Sequence, residues 1–269
     1  MSRGKRTFVA ISTETLQQRV GNPFTSLLPI SGHAIAHASH LWRSFPIMPL
    51  MNLTNSQNAF AAAAHLPPGS ALVIHDFGWQ DYEQLLGALG DHSGLRVSYD
   101  SGRLEILSPS FKHDRYSRRL DLLVSAFCEV RGLRCECGGS ATWKSPKLGK
   151  GVEADACYYV RNADRVIGGD DIGLDTHPPP DIAVEIDLTR SSVRKLSIYA
   201  ALAVPEVWRY EGQSFVFYTL KEGSYSKIPA SLQLPGLTPT MLLAALEDCD
   251  TRGSIAAVKA FRRRLRASK

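Results

Sequence analysis

The sequence predicts an α/β fold in which a mixed β-sheet is flanked by helices. Two observations support this prediction: short apolar strand patterns alternate along the chain with segments of helical periodicity, and Gly-containing turns separate several of these segments. Of the 269 residues, 44% are hydrophobic and 21% are charged. This composition is that of an ordinary globular protein.

The first predicted elements are a short helix and a hairpin. Apolar residues recur at helical spacing over 81–89, and Gly90 closes that segment. Segments 96–99 and 103–107 flank the turn sequence at 100–102, which predicts two antiparallel strands.

A long helix is predicted to follow and to end near Gly132, because apolar residues keep helical spacing on one side of it. These apolar residues are Tyr116, Leu120, Leu123, Val124 and Phe127. Later strand candidates are 133–137, 154–160, 182–186, 207–210 and 215–220, and a second helix is predicted over 192–203. The order of strands and helices indicates one mixed sheet covered by helices.

Periodicity and charge divide the chain into three parts. Residues 1–66 lack sustained periodicity and are predicted to be a disordered extension, and residues 67–250 are predicted to form the folded α/β domain. Residues 251–269 carry seven basic and no acidic side chains and are predicted to be a solvated basic tail with helical potential. Residues 71–250 carry 19 basic and 25 acidic side chains, so their charge is −6. Charge alone therefore does not predict a nucleic-acid partner for the domain.

Several classes of protein are disfavoured. No apolar run approaches the roughly 20 residues that a membrane-spanning helix needs, and polar residues interrupt any signal-peptide core near the amino terminus. The five cysteines contain no CxxC pair, which argues against structural zinc. We expect a cytoplasmic protein with reduced thiols and no membrane partner.

Two predicted strands carry acidic residues on one face. Alternation along a strand places Glu153 and Asp155 together, and likewise Asp181, Glu185 and Asp187. Buried carboxylates need cations or hydrogen bonds to persist. Hard oxygen ligands select Mg²⁺ or Mn²⁺, and removing one acid from such a cluster should relieve repulsion between like charges.

Lys195 lies eight residues beyond Asp187, with Tyr199 one helical turn later. An ammonium near the acids would stabilise charge developing on a phosphate. Spacing alone is equally compatible with a solvated lysine on the surface of a helix.

The sequence resembles the Uma-type "putative restriction endonuclease" family of the PD-(D/E)XK nuclease superfamily. The matching blocks occur in order between about residues 79 and 247. They are YDSGRLEILSPS (99–110), His113, EAD (153–155), PDIAVEI (180–186), Tyr199 and VPEVW (204–208).

This resemblance implies a restriction-endonuclease-like sheet in which Asp155 is the first catalytic acid and Glu185 the second. Ala154 stands where the family usually has proline, and Asp187 stands where the ExK motif has lysine. Lys195 is the candidate replacement for that lysine.

The predicted function is Mg²⁺- or Mn²⁺-dependent hydrolysis of DNA by a protein that could act as a homodimer. The candidate catalytic residues are Asp155, Glu185, Lys195, His113 and Glu105, and the candidate metal ligands are Asp155, Glu185, Glu153 and Asp187. His113 and Glu105 match family positions that can border the site, and His113 could equally cap a helix or lie on the surface. The alternatives are a catalytically silent nucleic-acid-binding or protein-interaction module, and acid/base hydrolysis of a small substrate.

Overall fold

The computed structural model describes residues 54–90, 94–169, 172–188 and 193–267, and the backbone of residues 10–11. The predicted α/β class is confirmed, with one difference: within these residues the strands form two six-stranded sheets instead of one. The predicted helix at 81–89, the hairpin and the long helix are all present. Most of the predicted extension lies outside the described residues.

The first sheet is antiparallel throughout, in the order β1-β2-β4-β3-β7-β6. Its strands are β1 (Ala10–Ile11), β2 (Ala71–Ile74), β3 (Arg96–Asp100), β4 (Arg103–Leu107), β6 (Thr142–Ser145) and β7 (Lys150–Glu153). At the turn between β3 and β4, Ser101 and Gly102 both have positive φ. Gly102 adopts that conformation without steric cost, which explains the hairpin signal in the sequence.

The second sheet has the order β12-β11-β10-β9-β8-β5, and its pair β9 and β10 is parallel. Its strands are β5 (Glu136–Cys137), β8 (Ala156–Tyr159), β9 (Ile182–Ile186), β10 (Glu206–Tyr210), β11 (Phe215–Lys221) and β12 (Ser224–Ile228). All five residues of β9 are buried, as expected for a central strand with both faces covered.

Helices cover the sheets and leave three apolar cores. The helices are α1 (Ser56–Ala63), α2 (Trp79–Leu89), α3 (Phe111–Arg131), α4 (Leu196–Ala201), α5 (Pro239–Arg252) and α6 (Ser254–Ala267). Helices α1 and α2 pack on the first sheet. Helices α3, α5 and α6 pack on one face of the second sheet, and α4 lies on its other face, where Trp143 and Val152 of the first sheet meet Ala183 and Val207 of the second.

The link between β7 and β8 carries the chain from the first sheet to the second. Ala154 and Asp155 form this link. The prediction that Glu153 and Asp155 alternate along one continuous strand is therefore wrong. Strand β7 ends at Glu153, and Asp155 lies in the link that follows it.

Both predicted ends of the domain need revision. Helix α1 lies within the segment predicted to be disordered, and Ala59 and Ala63 bury its apolar side against the first sheet. The carboxy-terminal segment is helical, but it is not a solvated tail. Val258, Phe261 and Leu265 are buried in the core of the second sheet, because their spacing gives α6 one apolar face.

No helix in the described parts of the chain is both long enough and apolar enough to cross a membrane.

Candidate active site

Asp155 is held in place by main-chain hydrogen bonds on both sides. Its amide donates to the carbonyl of Val184 over 3.0 Å, and its own carbonyl accepts from the Ser117 hydroxyl over 2.7 Å. The Ile186 amide donates to Asp155 Oδ2 over 2.7 Å. The link between the sheets is thereby fastened to β9 and to α3.

Cationic groups surround the Asp155 carboxylate, whose side chain is only 1% exposed. His113 Nε2 lies 3.1 Å from Oδ2, although its N–H does not point squarely at that oxygen, so we describe the contact as an ion pair. Arg96 Nε lies 3.6 Å from Oδ1, which is too far for a hydrogen bond. Burial would raise the pKa of Asp155, but His113 and Lys195 outweigh it and hold that pKa below its usual value.

The same contact determines the charge of His113. Burial would lower its pKa, but the close contact with the Asp155 carboxylate and the negative charge of Glu185 are stronger and raise that pKa above the ordinary value. His113 is buried in the first turn of α3, where the Ser110 hydroxyl caps its amide. The alternative of a surface role is therefore wrong, and the cap is formed by Ser110.

Glu185 is the fourth of the five residues of β9, and both of its oxygens accept hydrogen bonds. Lys195 Nζ donates to Oε2 over 2.8 Å, and the Tyr199 hydroxyl donates to Oε1 over 2.5 Å. Lys195 ends a 3₁₀ helix (Val193–Lys195) that leads into α4, which carries Tyr199. Lys195 is therefore not a solvated lysine: its side chain is 13% exposed and points at the predicted acid.

Glu185 and Lys195 influence each other's protonation. Burial raises the pKa of Glu185 to about 7, the Lys195 ammonium opposes this rise, and the negative charge of Asp155 adds to it. Burial would lower the pKa of Lys195, but Glu185 and Asp155 together raise it, so the lysine stays charged at neutral pH. The mutual effect of Asp155 and Glu185 indicates that the two acids form one electrostatic unit.

Two of the four predicted metal ligands come together in this unit. Asp155 Oδ1 is buried and accepts no hydrogen bond, and the raised pKa of Glu185 indicates that a further cation would be favoured. These hard oxygens fit Mg²⁺, which commonly binds one or two carboxylates and completes its coordination with water and phosphate. Within the described residues, no group of three or more His, Cys, Asp or Glu side chains is arranged to hold a metal.

The other two predicted ligands have different partners. Glu153 accepts from the Val97 amide over 2.9 Å and from the Thr142 hydroxyl over 2.8 Å, and so braces the first sheet. Asp187 accepts from Arg209 Nε over 2.9 Å. Strand alternation could not reveal which cation or amide lies opposite each of these acids.

Glu105 lies on β4 at the edge of the unit. Arg103 Nη2 is 2.6 Å from its carboxylate, and the charge of Glu105 contributes to the raised pKa of Lys195. A role of Glu105 at the site stays a prediction.

Arg96 was not predicted from the sequence to be a site residue. It begins β3, and only the antiparallel pairing of β3 with β7 brings it near Asp155. No spacing rule connects residues 96 and 155, and the one signal in the sequence was a basic residue at the start of a predicted strand.

A cleft of about 1210 Å³ opens beside Asp155. Arg96, Glu153 and Asp155 line it, and Arg118 of α3 and Lys144 of β6 add basic side chains. A ligand entering this cleft would meet these cations and also the acidic residues that line it, Asp114, Asp121, Glu153, Asp155 and Asp175.

We expect stability to fall as the pH rises from about 5 to about 8, and Glu185→Gln to remove most of that slope. Folded Glu185 binds a proton that the unfolded chain has already released, so its contribution is present at low pH and is lost between pH 4.5 and about 7. This difference in pKa corresponds to about 3 kcal/mol. The contribution of protonated His113 to stability is likewise lost as the pH rises above 6.5, because its pKa is also raised in the folded protein.

The measurement is urea unfolding in EDTA at pH values from about 5 to about 8. The pH dependence of stability that remains in Glu185→Gln is then assigned to His113. Parallel curves for wild type and Glu185→Gln would contradict the assignment of the raised pKa to Glu185.

The profile of the Uma2 family, described as "Putative restriction endonuclease", matches residues 79–252. The chain belongs to the Uma2 family. The family assignment predicted from the sequence is thereby confirmed, and the two sheets with their helices confirm the predicted α/β class. Asp155, Glu185, Lys195 and His113 all lie within the matched segment of this Uma2 protein.

Solved structures also show similarity to this Uma2 protein. One is the crystal structure of "a putative nuclease belonging to DUF820" from Anabaena variabilis, with 12% sequence identity and a TM-score of 0.41. The match covers 55% of this chain and 89% of that chain. A comparison with curated proteins found no match.

Proposed function

We propose that this Uma2 protein hydrolyses phosphodiester bonds of DNA with Mg²⁺ or Mn²⁺. The observation that carries the proposal is the buried unit of Asp155 and Glu185 with Lys195 Nζ 2.8 Å from Glu185. Membership of a family described as restriction endonucleases supports nuclease chemistry in general. Two acids and a lysine are the groups that this chemistry requires.

Asp155 and Glu185 would hold the metal. When bound, Mg²⁺ supplies Lewis-acid stabilisation of negative charge on a phosphate. His113 and Lys195 keep Asp155 ionised, Arg96 lies beside its Oδ1, and the Tyr199 hydroxyl donates a hydrogen bond to Glu185. Lys195 holds a positive charge beside the acids, where it would stabilise charge that develops in the transition state.

The same proposal includes a cytoplasmic location and a homodimer. Cutting both strands of a duplex suits a two-fold arrangement of two identical sites. DNA is the proposed partner because the family description names restriction endonucleases.

The test is incubation of the purified protein with supercoiled, linear and single-stranded DNA in Mg²⁺, Mn²⁺ or EDTA. Cleavage is expected with either metal and not in EDTA. Asp155→Asn should abolish it, whereas Asp164→Asn, a change in an exposed ion pair with Arg134, should not. DNA binding without cleavage under every condition would overturn the proposal and favour a catalytically silent binding module.

A further inference from the structure

One face of α3 carries an exposed aromatic ring followed by two arginines. Phe111, the first residue of the helix, is 78% exposed. Arg115 and Arg118 follow at spacings of four and seven, so they lie on the same face. We call these three residues the α3 stripe. A single exposed apolar residue is ordinary on a protein surface. Phe111 differs because two arginines lie between it and the cleft beside Asp155.

The α3 stripe leads into the cleft beside Asp155. Arg118 lines that cleft together with Arg96 and Asp155. At 1.5 Å per residue, Phe111 lies about 10 Å further along the helix axis. A ligand in the cleft that extends along α3 would therefore reach the Phe111 ring.

Basic residues outnumber acidic ones at the start of α3. Segment 111–119 contains four basic residues and one acidic residue, Asp114, and one of the four, Arg119, is buried and paired with Asp250. The ion pairs of Arg115 with Asp250 and of Arg118 with Asp121 are both 3.9 Å long and exposed on the arginine side. Pairs of this kind contribute little free energy, so a phosphate could replace the carboxylates at small cost.

The exposed Phe111 ring lies next to a guanidinium group. The Arg115 guanidinium lies over one face of the Phe111 ring, 5.6 Å from its centroid, in a cation–π contact. Proteins that bind unpaired strands combine these two elements, with bases stacked on aromatic rings and basic groups along the backbone.

We infer that the α3 stripe binds an unpaired nucleic-acid strand, with one base stacked on Phe111 and phosphates on Arg115 and Arg118. The inference deepens the proposed function and rests on it: the substrate would be DNA with a single-stranded segment leading into the cleft. Bases of an intact duplex are stacked on one another and cannot offer a free face to the ring.

The basic face of α6 is the competing surface. It carries Lys259, Arg263 and Arg266, all exposed. Its one aromatic residue, Phe261, is buried, and no residue of α6 lines the cleft. This face therefore offers charge without stacking or access to the acids, which makes it a suitable source of matched controls.

The test is fluorescence anisotropy in EDTA, where hydrolysis does not interfere, with a single-stranded oligonucleotide of about 16 nucleotides and a duplex of the same sequence. Phe111→Ala should weaken single-strand binding by about 10-fold, the range for one lost stack, and change duplex binding by less than about 2-fold. Phe111→Trp should retain the affinity, and its added fluorescence should be quenched by the single strand. Arg118→Gln should reduce the salt dependence of binding.

The controls are Ile255→Ala, which removes another exposed apolar side chain, and Arg263→Gln on α6. Both should bind like wild type. Equal losses on single strand and duplex, or a larger loss for Arg263→Gln, would overturn the inference. So would a dimer that Phe111→Ala dissociates, since the ring would then contact a second copy.

The outcomes separate the two proposals. If the protein cleaves DNA in Mg²⁺ but Phe111→Ala leaves the affinity for the single strand unchanged, this inference is wrong and the proposed hydrolysis stands. Phe111-dependent binding without cleavage in any metal supports the binding surface and defeats the proposed hydrolysis.

Discussion

Replacing Lys195 with alanine is expected to slow DNA cleavage by a factor on the order of 10² or more, the effect of losing one preorganised electrostatic donor. The ammonium lies 2.8 Å from Glu185 in a nearly water-free setting, where a charge interacts more strongly than in bulk water. Metal affinity should stay roughly constant, because the two acids remain. Lys195→Arg should recover only part of the rate, since a guanidinium is planar and longer.

The measurement is single-turnover cleavage at saturating Mg²⁺, with Arg194→Ala as the control. Arg194 precedes Lys195 in the chain and is exposed, so its loss removes a positive charge without touching the acids. Full activity of Lys195→Ala would show that Lys195 does not replace the missing ExK lysine. Asp155, Glu185 and the metal would then be sufficient for catalysis.

Asp155→Ala is expected to destabilise the metal-free protein by about 3 kcal/mol or more, because it leaves buried cationic partners without their anion. His113 and Arg96 would lose their counter-charge, and the Ile186 amide would lose its acceptor. The sequence suggested the opposite, relief of repulsion within an acid cluster. The structure shows cations on this carboxylate, and these cations reverse the expected sign.

Urea unfolding in EDTA near neutral pH measures this loss, with Asp164→Ala as the control. Asp164 pairs with Arg134 at the surface, where both side chains are more than half exposed, so its loss should cost less than about 1 kcal/mol. Addition of Mg²⁺ should stabilise the wild type and leave Asp155→Ala unchanged. If Asp155→Ala were as stable as wild type, the pairing of His113 and Arg96 with this carboxylate would contribute nothing to stability.

The sequence predicted the elements that have strong local signals. Helix α3 was recognisable because its apolar residues keep helical spacing and Gly132 ends it in the left-handed conformation. Strand β9 was predicted with its observed bounds, because five consecutive residues had to be buried around one acid. Strands β6 and β7 were missed, because Lys144, Lys150 and Gly151 interrupt any apolar pattern there.

The acids of the site were predictable and their partners were not. Asp155 and Glu185 stood out because a carboxylate within an apolar strand requires an explanation. Arg96 and His113 reach Asp155 from the first sheet and from α3, and such contacts depend on how distant segments pack. The resemblance located His113 but could not specify its contact with the acid.

Asp155 follows β7 of the first sheet but is bonded to β9 of the second, through Val184 and Ile186 on either side of Glu185. A small rotation of one sheet against the other would therefore leave the two carboxylates together and would move Arg96, which begins β3 of the first sheet. The apolar contact of Trp143 and Val152 with Ala183 and Val207 sets the distance between the sheets. Changes in its volume should displace Arg96 from Asp155 before they separate the two acids.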